Sequence, residues 1–287
     1  MSKIYDGIMG LVVGDALGVP FEFKRRDTFK AVDMVGYGTY NQTAGTWSDD
    51  SSMTLATLES LGRCKRIDLA DIMRNFYRWY VVGDFTPHGQ VFDVGNTTRT
   101  AIQRYKKGAP LYACGGYNIM DNGNGSLMRI LPLAFIEHSV EDVFAVSTLT
   151  HAHRISLMAC VRYVEIAEKL IAGAEKQDVL ESKHVFPAEF RRIKKIGTLS
   201  RDEIKSTGYV IDTLEAALWC FMTTESYRDC VLKAVNLGED TDTIAAVAGG
   251  LAGIYYGVGG EKGIPQEWIE QIARKEWIQE LCVNLNY

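Results

Sequence analysis

Four glycines recur along one side of the first apolar segment, and they limit what that segment can pack against. Residues 3–17 carry helical periodicity, with Gly7, Gly10, Gly14 and Gly18 on or near one side. Glycine is a poor helix former, so its repetition points to close approach of another backbone. The chain is therefore expected to bury its first helix in a helical core. The composition permits such a core: 47% of the residues are hydrophobic and 23% charged.

Helical periodicity continues along the chain, and period-2 runs bounded by turns hardly occur. Helices are predicted at 53–61, 69–82, 97–105, 126–136 (with Pro132 near a break), 210–221, 226–236 and 243–257, with a short one near 266–281. Residues 141–171 read as two helices flanking Thr150–His153. Loops fall at 24–47 and 115–125. The stretch 172–207 is charged and irregular and reads as a peripheral excursion, because hydrophobic helices resume after it. Length alone leaves one or two domains open. The reading adopted is one all-α domain over 1–287.

Bulk properties narrow the function. The net charge of -5 and the pI of about 5.6 argue against broad electrostatic binding of nucleic acid or anionic membrane. The uncharged run 244–260 is short for a membrane span and rich in glycine, so it reads as a buried core helix. The N-terminus lacks a signal-peptide layout, and Asp6 and Asp15 interrupt its apolar stretch. Six cysteines form no CxxC pair, which fits reduced thiols and a cytoplasmic location.

Two acidic clusters carry the chemistry. One is Thr46-Trp47-Ser48-Asp49-Asp50-Ser51-Ser52-Met53; the other is Gly238-Glu239-Asp240-Thr241-Asp242-Thr243. Each stands before a strongly apolar run. Either one alone is adequately explained as a helix cap. Two together at buried helix starts need a cation or raised pKa values. All-oxygen donors suit Mg²⁺ or Mn²⁺, and no Cys/His set with zinc spacing exists. Three further stretches support a site. Gly123-Asn124-Gly125-Ser126-Leu127-Met128 is a glycine-rich loop able to cradle phosphate, or a plain Asn-Gly turn. His151 and His153 form a pair whose spacing is wrong for a helical zinc site. Glu22, after a Gly/Pro turn, is either a tuned acid or base or a loop carboxylate solvated beside Lys24, Arg25 and Arg26.

The segments GDALGVPFE, GTWSDDSSM, FDVGNTTRTAI, NGNGSLMRILPLA, THAHR, GYVIDTLEAALW and LGEDTDTIAAVAGGLAG, in that order, resemble the ADP-ribosylglycohydrolases related to dinitrogenase-reductase-activating glycohydrolase. The resemblance runs from residue 7 to about 257. It implies an orthogonal all-α bundle with two Mg²⁺ or Mn²⁺ ions in a central cleft. It also implies hydrolysis of a ribosyl C1″ bond on an ADP-ribosylated protein, with ADP-ribose as product. The implied metal ligands are Ser48, Asp49, Asp50, Asp240, Asp242 and Thr243. Ser48 replaces the family's usual threonine and keeps the hydroxyl, while Glu239 adds charge beside Asp240. The implied proton carriers are Glu22 and Asp93, with the choice between them open. ADP-ribose contacts fall on Asn124, Gly125, Ser126, Met128 and His151. Tyr209 falls where arginine-directed relatives have a tyrosine near the modified side chain.

Arginine is the expected linkage. Serine-linked or polymeric ADP-ribose and a modified nucleic acid are alternatives. A non-catalytic ADP-ribose reader is a rival of another class, and intact acidic motifs argue against it. An all-α histidine-aspartate phosphohydrolase requires a His-Asp dyad, and the sequence has no His-Asp dipeptide.

Overall fold

The computed structural model describes residues 2–285, so residues 1, 286 and 287 of the proposed 1–287 unit lie outside the described residues. Among those described there is no strand, and the fold is an all-α bundle. The helices are α1 (Lys3–Gly18), α2 (Asp49–Cys64), α3 (Leu69–Val82), α4 (Asn96–Lys106), α5 (Val140–Thr148) and α6 (Arg154–Ile171). They are followed by α7 (Val210–Met222), α8 (Tyr227–Val235), α9 (Thr241–Tyr256), α10 (Gln266–Ile269) and α11 (Lys275–Leu285).

The antiparallel pair α1–α9 organises the bundle. A Cβ on Gly10 would stand 2.4 Å from the Gly249 carbonyl oxygen, and one on Gly14 would stand 2.1 Å from that of Ala245. The glycines of α1 thus meet a backbone, as their spacing predicts, and the partner is α9, itself carrying Gly249, Gly250 and Gly253. Around this contact Ile8, Met9, Leu11, Val12, Val13 and Leu17 are fully buried, each contributing roughly 1.5–3 kcal/mol. The segment Lys3–Phe21 is long and apolar enough to cross a membrane, but 89% of its apolar window is buried inside the protein, which makes it a core helix.

Several boundaries differ from the sequence reading. The helix expected at 53–61 begins at Asp49, and the one expected at 243–257 begins at Thr241, so acidic residues occupy both first turns. The helix expected at 126–136 is a turn followed by a 3-10 helix, Leu131–Phe135. Pro132 lacks the N–H that an α-helix needs there. The helix expected near 266–281 is split in two. Arg274 takes a positive φ of 53° at the break, and the Ala273 N–H is drawn to the Gly45 carbonyl.

The stretch 172–207 holds only short 3-10 turns, but it is anchored. Val179, Phe190, Ile193, Ile196 and Ile204 are buried. The Lys176 ammonium donates to the carbonyls of Phe221 and Thr224 and to the Tyr256 hydroxyl, among the rings of Phe221, Tyr255 and Tyr256.

The α1–α9 contact yields a stability test. Gly10→Val should cost about 3 kcal/mol or more, because it meets backbone rather than a side chain able to move, and lower the melting temperature by roughly 6–12 °C. Gly62→Ala is the control. Its new Cβ would meet Asn284 at an ordinary 3.5 Å, so the change should be neutral or slightly stabilising. Equal melting of both variants by circular dichroism would contradict the packing argument.

Candidate functional site

The C-terminal end of α1 gathers the acidic residues. A Cβ on Gly18 would lie 2.3 Å from Asp242 Cα, and the Thr241 hydroxyl donates to the Gly18 carbonyl at 2.8 Å. These contacts set the start of α9 against the end of α1. Asp15, one turn back, sets α2. Its carboxylate accepts from Ser48 N at 3.0 Å, from Ser51 N at 3.0 Å and from the Ser51 hydroxyl at 2.5 Å. The N-termini of α2 and α9 therefore meet in one place, and their dipoles both favour negative charge there.

The capping explanation divides between the clusters. The Ser48 hydroxyl does cap α2, accepting from Asp50 N. Asp240 occupies the N-cap position of α9 but makes no capping bond; its Oδ2 accepts instead from Asn124 Nδ2 at 2.8 Å. Glu239 is exposed. Its backbone, at φ 63°, pairs with Phe23 and Lys24 through bonds of 2.7 and 2.8 Å, tying the second acidic loop to the turn that carries Glu22.

Glu22 is buried, so it is not a solvated loop carboxylate. Of the three basic residues beside it, Arg26 turns away, donating to the carbonyls of Leu237, Arg201 and Ile204. Carboxylate oxygens of Glu22, Asp93 and Asp242 lie within 4.8 Å of one another, and so do those of Asp15, Asp50 and Asp242. Asp242 belongs to both groups. Asp93 is held at a positive φ of 52°, an uncommon conformation for a residue with a side chain.

Burial and mutual repulsion push these carboxyls upward. Glu22 rises to about 9, through burial first and then Asp93. Asp93 and Asp15 each rise to about 6, mainly through burial. Asp49, Asp50 and Asp242 rise well above the ordinary range for the same reasons, and Asp240 rises too. The buried oxygens Glu22 Oε2, Asp50 Oδ1 and Asp242 Oδ2 lack a hydrogen-bond partner. Orphaned oxygens in an all-oxygen donor set fit a hard divalent cation. Asp15 is committed to the α2 backbone and acts as a support.

A cleft of about 350 Å³ opens beside the cluster. Glu22, Asp49, Asp93, Asp240 and Thr243 line one side; Gly123, Asn124, Gly125, Met128 and His151 line the other. Gly125 lies against His151: a Cβ there would meet the imidazole Cε1 at 2.8 Å. Ser126 is fully buried, with its hydroxyl against the Cys160 thiol rather than in the cleft lining. Tyr209 is 36% exposed and flanks the cleft, its neighbours tied to the glycine loop by Asn124 N to Gly208 O and Val210 N to Asn122 O.

Three residues of the site went unassigned in the sequence reading. Asp15 carried a signal, being a charge inside an apolar helix. Thr98, whose buried hydroxyl lacks a partner, lies in the Asn-Thr-Thr stretch after Asp93 and lines the cleft. Tyr40 sits against Glu22 and Asp93, its phenol pushed up by burial and by Asp93, and only the tertiary fold reveals this placement.

Fold and site together define an all-helical protein with a buried carboxylate centre beside a glycine loop. The chain belongs to the ADP-ribosylglycohydrolase family, whose model matches residues 1–286. It is 36% identical to the ADP-ribosylarginine hydrolase Tri1 of Serratia proteamaculans, over 100% of this chain and 80% of that one. It is 32% identical to the ADP-ribosyl-[dinitrogen reductase] glycohydrolase of Rhodospirillum rubrum, over 96% and 91%. A solved ADP-ribosylglycohydrolase-related protein complex is similar in structure, with a TM-score of 0.86, 31% identity and coverage of 99% and 96%.

The upward shifts set a pH dependence. The native cluster holds protons that unfolded carboxyls, titrating near 4, have released. Stability therefore falls as pH rises through the window from about 4 to about 9. In chelator-treated protein the melting temperature should drop steadily from about pH 5 to about pH 8, and saturating Mg²⁺ or Mn²⁺ should flatten the slope. A melting temperature that rises with pH in chelator would contradict the buried-carboxylate account.

Proposed function

We propose that this chain hydrolyses the bond between ribose C1″ and an arginine side chain of an ADP-ribosylated protein, releasing ADP-ribose. The observation that carries the reading is the convergence of Glu22, Asp49, Asp93, Asp240 and Asp242 at one end of a cleft whose other side is the glycine loop and His151. Relatives named for ADP-ribosylarginine and for ADP-ribosylated dinitrogen reductase support the choice of substrate. The chain's acidic balance and its six cysteines without a CxxC pair fit a cytoplasmic setting.

Asp49, Asp50, Asp240 and Asp242, with the hydroxyls of Ser48 and Thr243, would hold Mg²⁺ or Mn²⁺. Such ions, when bound, would orient ribose hydroxyls and water as Lewis acids. The chain's own groups supply the rest. The carboxylates place negative charge where C1″ gains oxocarbenium character. The different environments of Glu22 and Asp93 suggest a division of labour. Glu22, the more strongly raised, holds a proton for the departing guanidino nitrogen. Asp93 accepts the proton that water loses as its oxygen bonds to C1″. Asn124, fixed by Asp240 and the Thr213 hydroxyl, keeps the loop at the cleft edge. Tyr209, exposed beside that loop, would stack on a guanidinium at the mouth.

Release of ADP-ribose from arginine-linked and serine-linked peptides tests the reading. Arginine release should be faster, should stop in chelator, and should return with Mg²⁺ or Mn²⁺. Glu22→Gln should lower kcat by ~10²-fold or more. Tyr209→Ala should raise KM on the arginine substrate by up to about tenfold, leaving affinity for free ADP-ribose unchanged. Faster serine release, or full turnover in chelator, would overturn the proposal.

A further inference from the structure

Arg129 is a buried cation without an anion. Its guanidinium is fully buried and lies over the Phe76 ring at 4.5 Å, and no carboxylate among the described residues pairs with it. Its Nε and Nη1 have no hydrogen-bond partner. Burial draws its pKa down only to about 10, so the charge remains. An uncompensated charge is costly to bury, and this one directly follows Met128 of the cleft wall.

The bonds it does make lead into the cleft. Arg129 Nη2 donates to the Val146 carbonyl at 3.2 Å and to Thr150 Oγ1 at 2.7 Å. Thr150 Oγ1 is 2.9 Å from His151 Nδ1. A guanidinium can only donate, so the Thr150 oxygen accepts from Arg129. Thr150 is fully buried, and among the described residues His151 Nδ1 is the other hydrogen-bond partner of its hydroxyl, so the hydroxyl hydrogen is satisfied only where Nδ1 accepts it. That bond requires Nδ1 to carry a lone pair, which places the ring proton on Nε2. The imidazole lies against Gly123 and Gly125: a Cβ on Gly123 would stand 3.5 Å from Nε2, and His151 lines the cleft. Burial and the nearby Arg129 hold the ring neutral, with a pKa of about 3.

We propose that Arg129 and Thr150 are positioning residues for ADP-ribose. Through the chain Arg129 Nη2–Thr150 Oγ1–His151 Nδ1 they fix His151 as the Nε2–H tautomer, giving the glycine cradle one oriented N–H donor for a diphosphate oxygen. The buried guanidinium stands behind this donor and adds positive potential in a cleft otherwise dominated by carboxylates. The substrate's diphosphate is thereby drawn to the loop side and its ribose is left to the acidic side. The inference rests on the reading of the cleft as an ADP-ribose site.

The tautomer and the affinity can be read separately. Long-range ¹H–¹⁵N spectra of histidine-labelled protein report which ring nitrogen carries the proton, with His151→Gln assigning the signal among the five histidines. Wild type and Thr150→Ser should show Nε2–H. Thr150→Val, similar in shape but without the hydroxyl, should lose the single tautomer and bind free ADP-ribose about tenfold more weakly, while Thr150→Ser stays within about threefold of wild type. An Nδ1–H or doubly protonated ring in the wild type at neutral pH would overturn the relay. So would a Thr150→Val protein with unchanged tautomer and affinity. A wild-type chain with the Nε2–H signature that binds no ADP-ribose would overturn the reading of the cleft itself and leave the hydrogen-bond chain standing.

Discussion

Everything at the site depends on how closely α1 and α9 approach. Side chains at Gly10, Gly14 and Gly18 would collide with the α9 backbone at 2.1–2.4 Å, so the antiparallel pair can form only without them. The benefit is positional. Gly18 meets Asp242 directly, so residues from the two ends of the chain share one small volume. Chain separation of more than 200 residues is closed by a contact with almost no tolerance for added atoms.

A second constraint is built on the first. Asp15 uses both carboxylate oxygens to hold the first turn of α2, which carries Asp49 and Asp50. With α2 and α9 both pointing their N-termini at the end of α1, six acidic side chains besides Asp15 gather there: Glu22, Asp49, Asp50, Asp93, Asp240 and Asp242. Neither dipoles nor the few hydrogen bonds satisfy them all, and Glu22, Asp50 and Asp242 each retain a buried oxygen without a partner. The opposite wall is built differently, from glycine backbone and a neutral histidine, with the buried Arg129 bonded through Thr150 behind it. The cleft thus has one side lined by carboxylates and another free of them.

How much of this could be read in the sequence varies by residue. The Asp49–Asp50 and Asp240–Asp242 pairs were legible because acidic residues stand directly before apolar runs, and the glycines of α1 because they repeat against helix propensity. That Asp49, Asp50 and Asp242 lie inside the first turns, with Asp240 at the N-cap, depended on which groups cap each helix. The burial of Glu22 was ambiguous because its basic neighbours suggested solvent; only the path of Arg26 into the carbonyls of 201–204 and Leu237 resolves it. The anchoring of 172–207 was hidden, since the cage around Lys176 is built from residues 221–256. Pro132 signalled a break but not that the whole of 126–136 would abandon the α-helix. Arg129 and Thr150 read as ordinary residues because their arrangement exists only in three dimensions.

The central claim is that the end of α1 assembles one carboxylate centre able to hold a cation, with Asp242 shared between two groups of carboxylates. Equilibrium titration with Mn²⁺, followed by electron paramagnetic resonance, tests it directly. The carboxylates that meet at Asp242 predict Mn²⁺ binding by the wild type and its loss in a folded Asp242→Ala protein. Absence of Mn²⁺ binding by the wild type, or unchanged Mn²⁺ binding by a folded Asp242→Ala protein, would contradict the account.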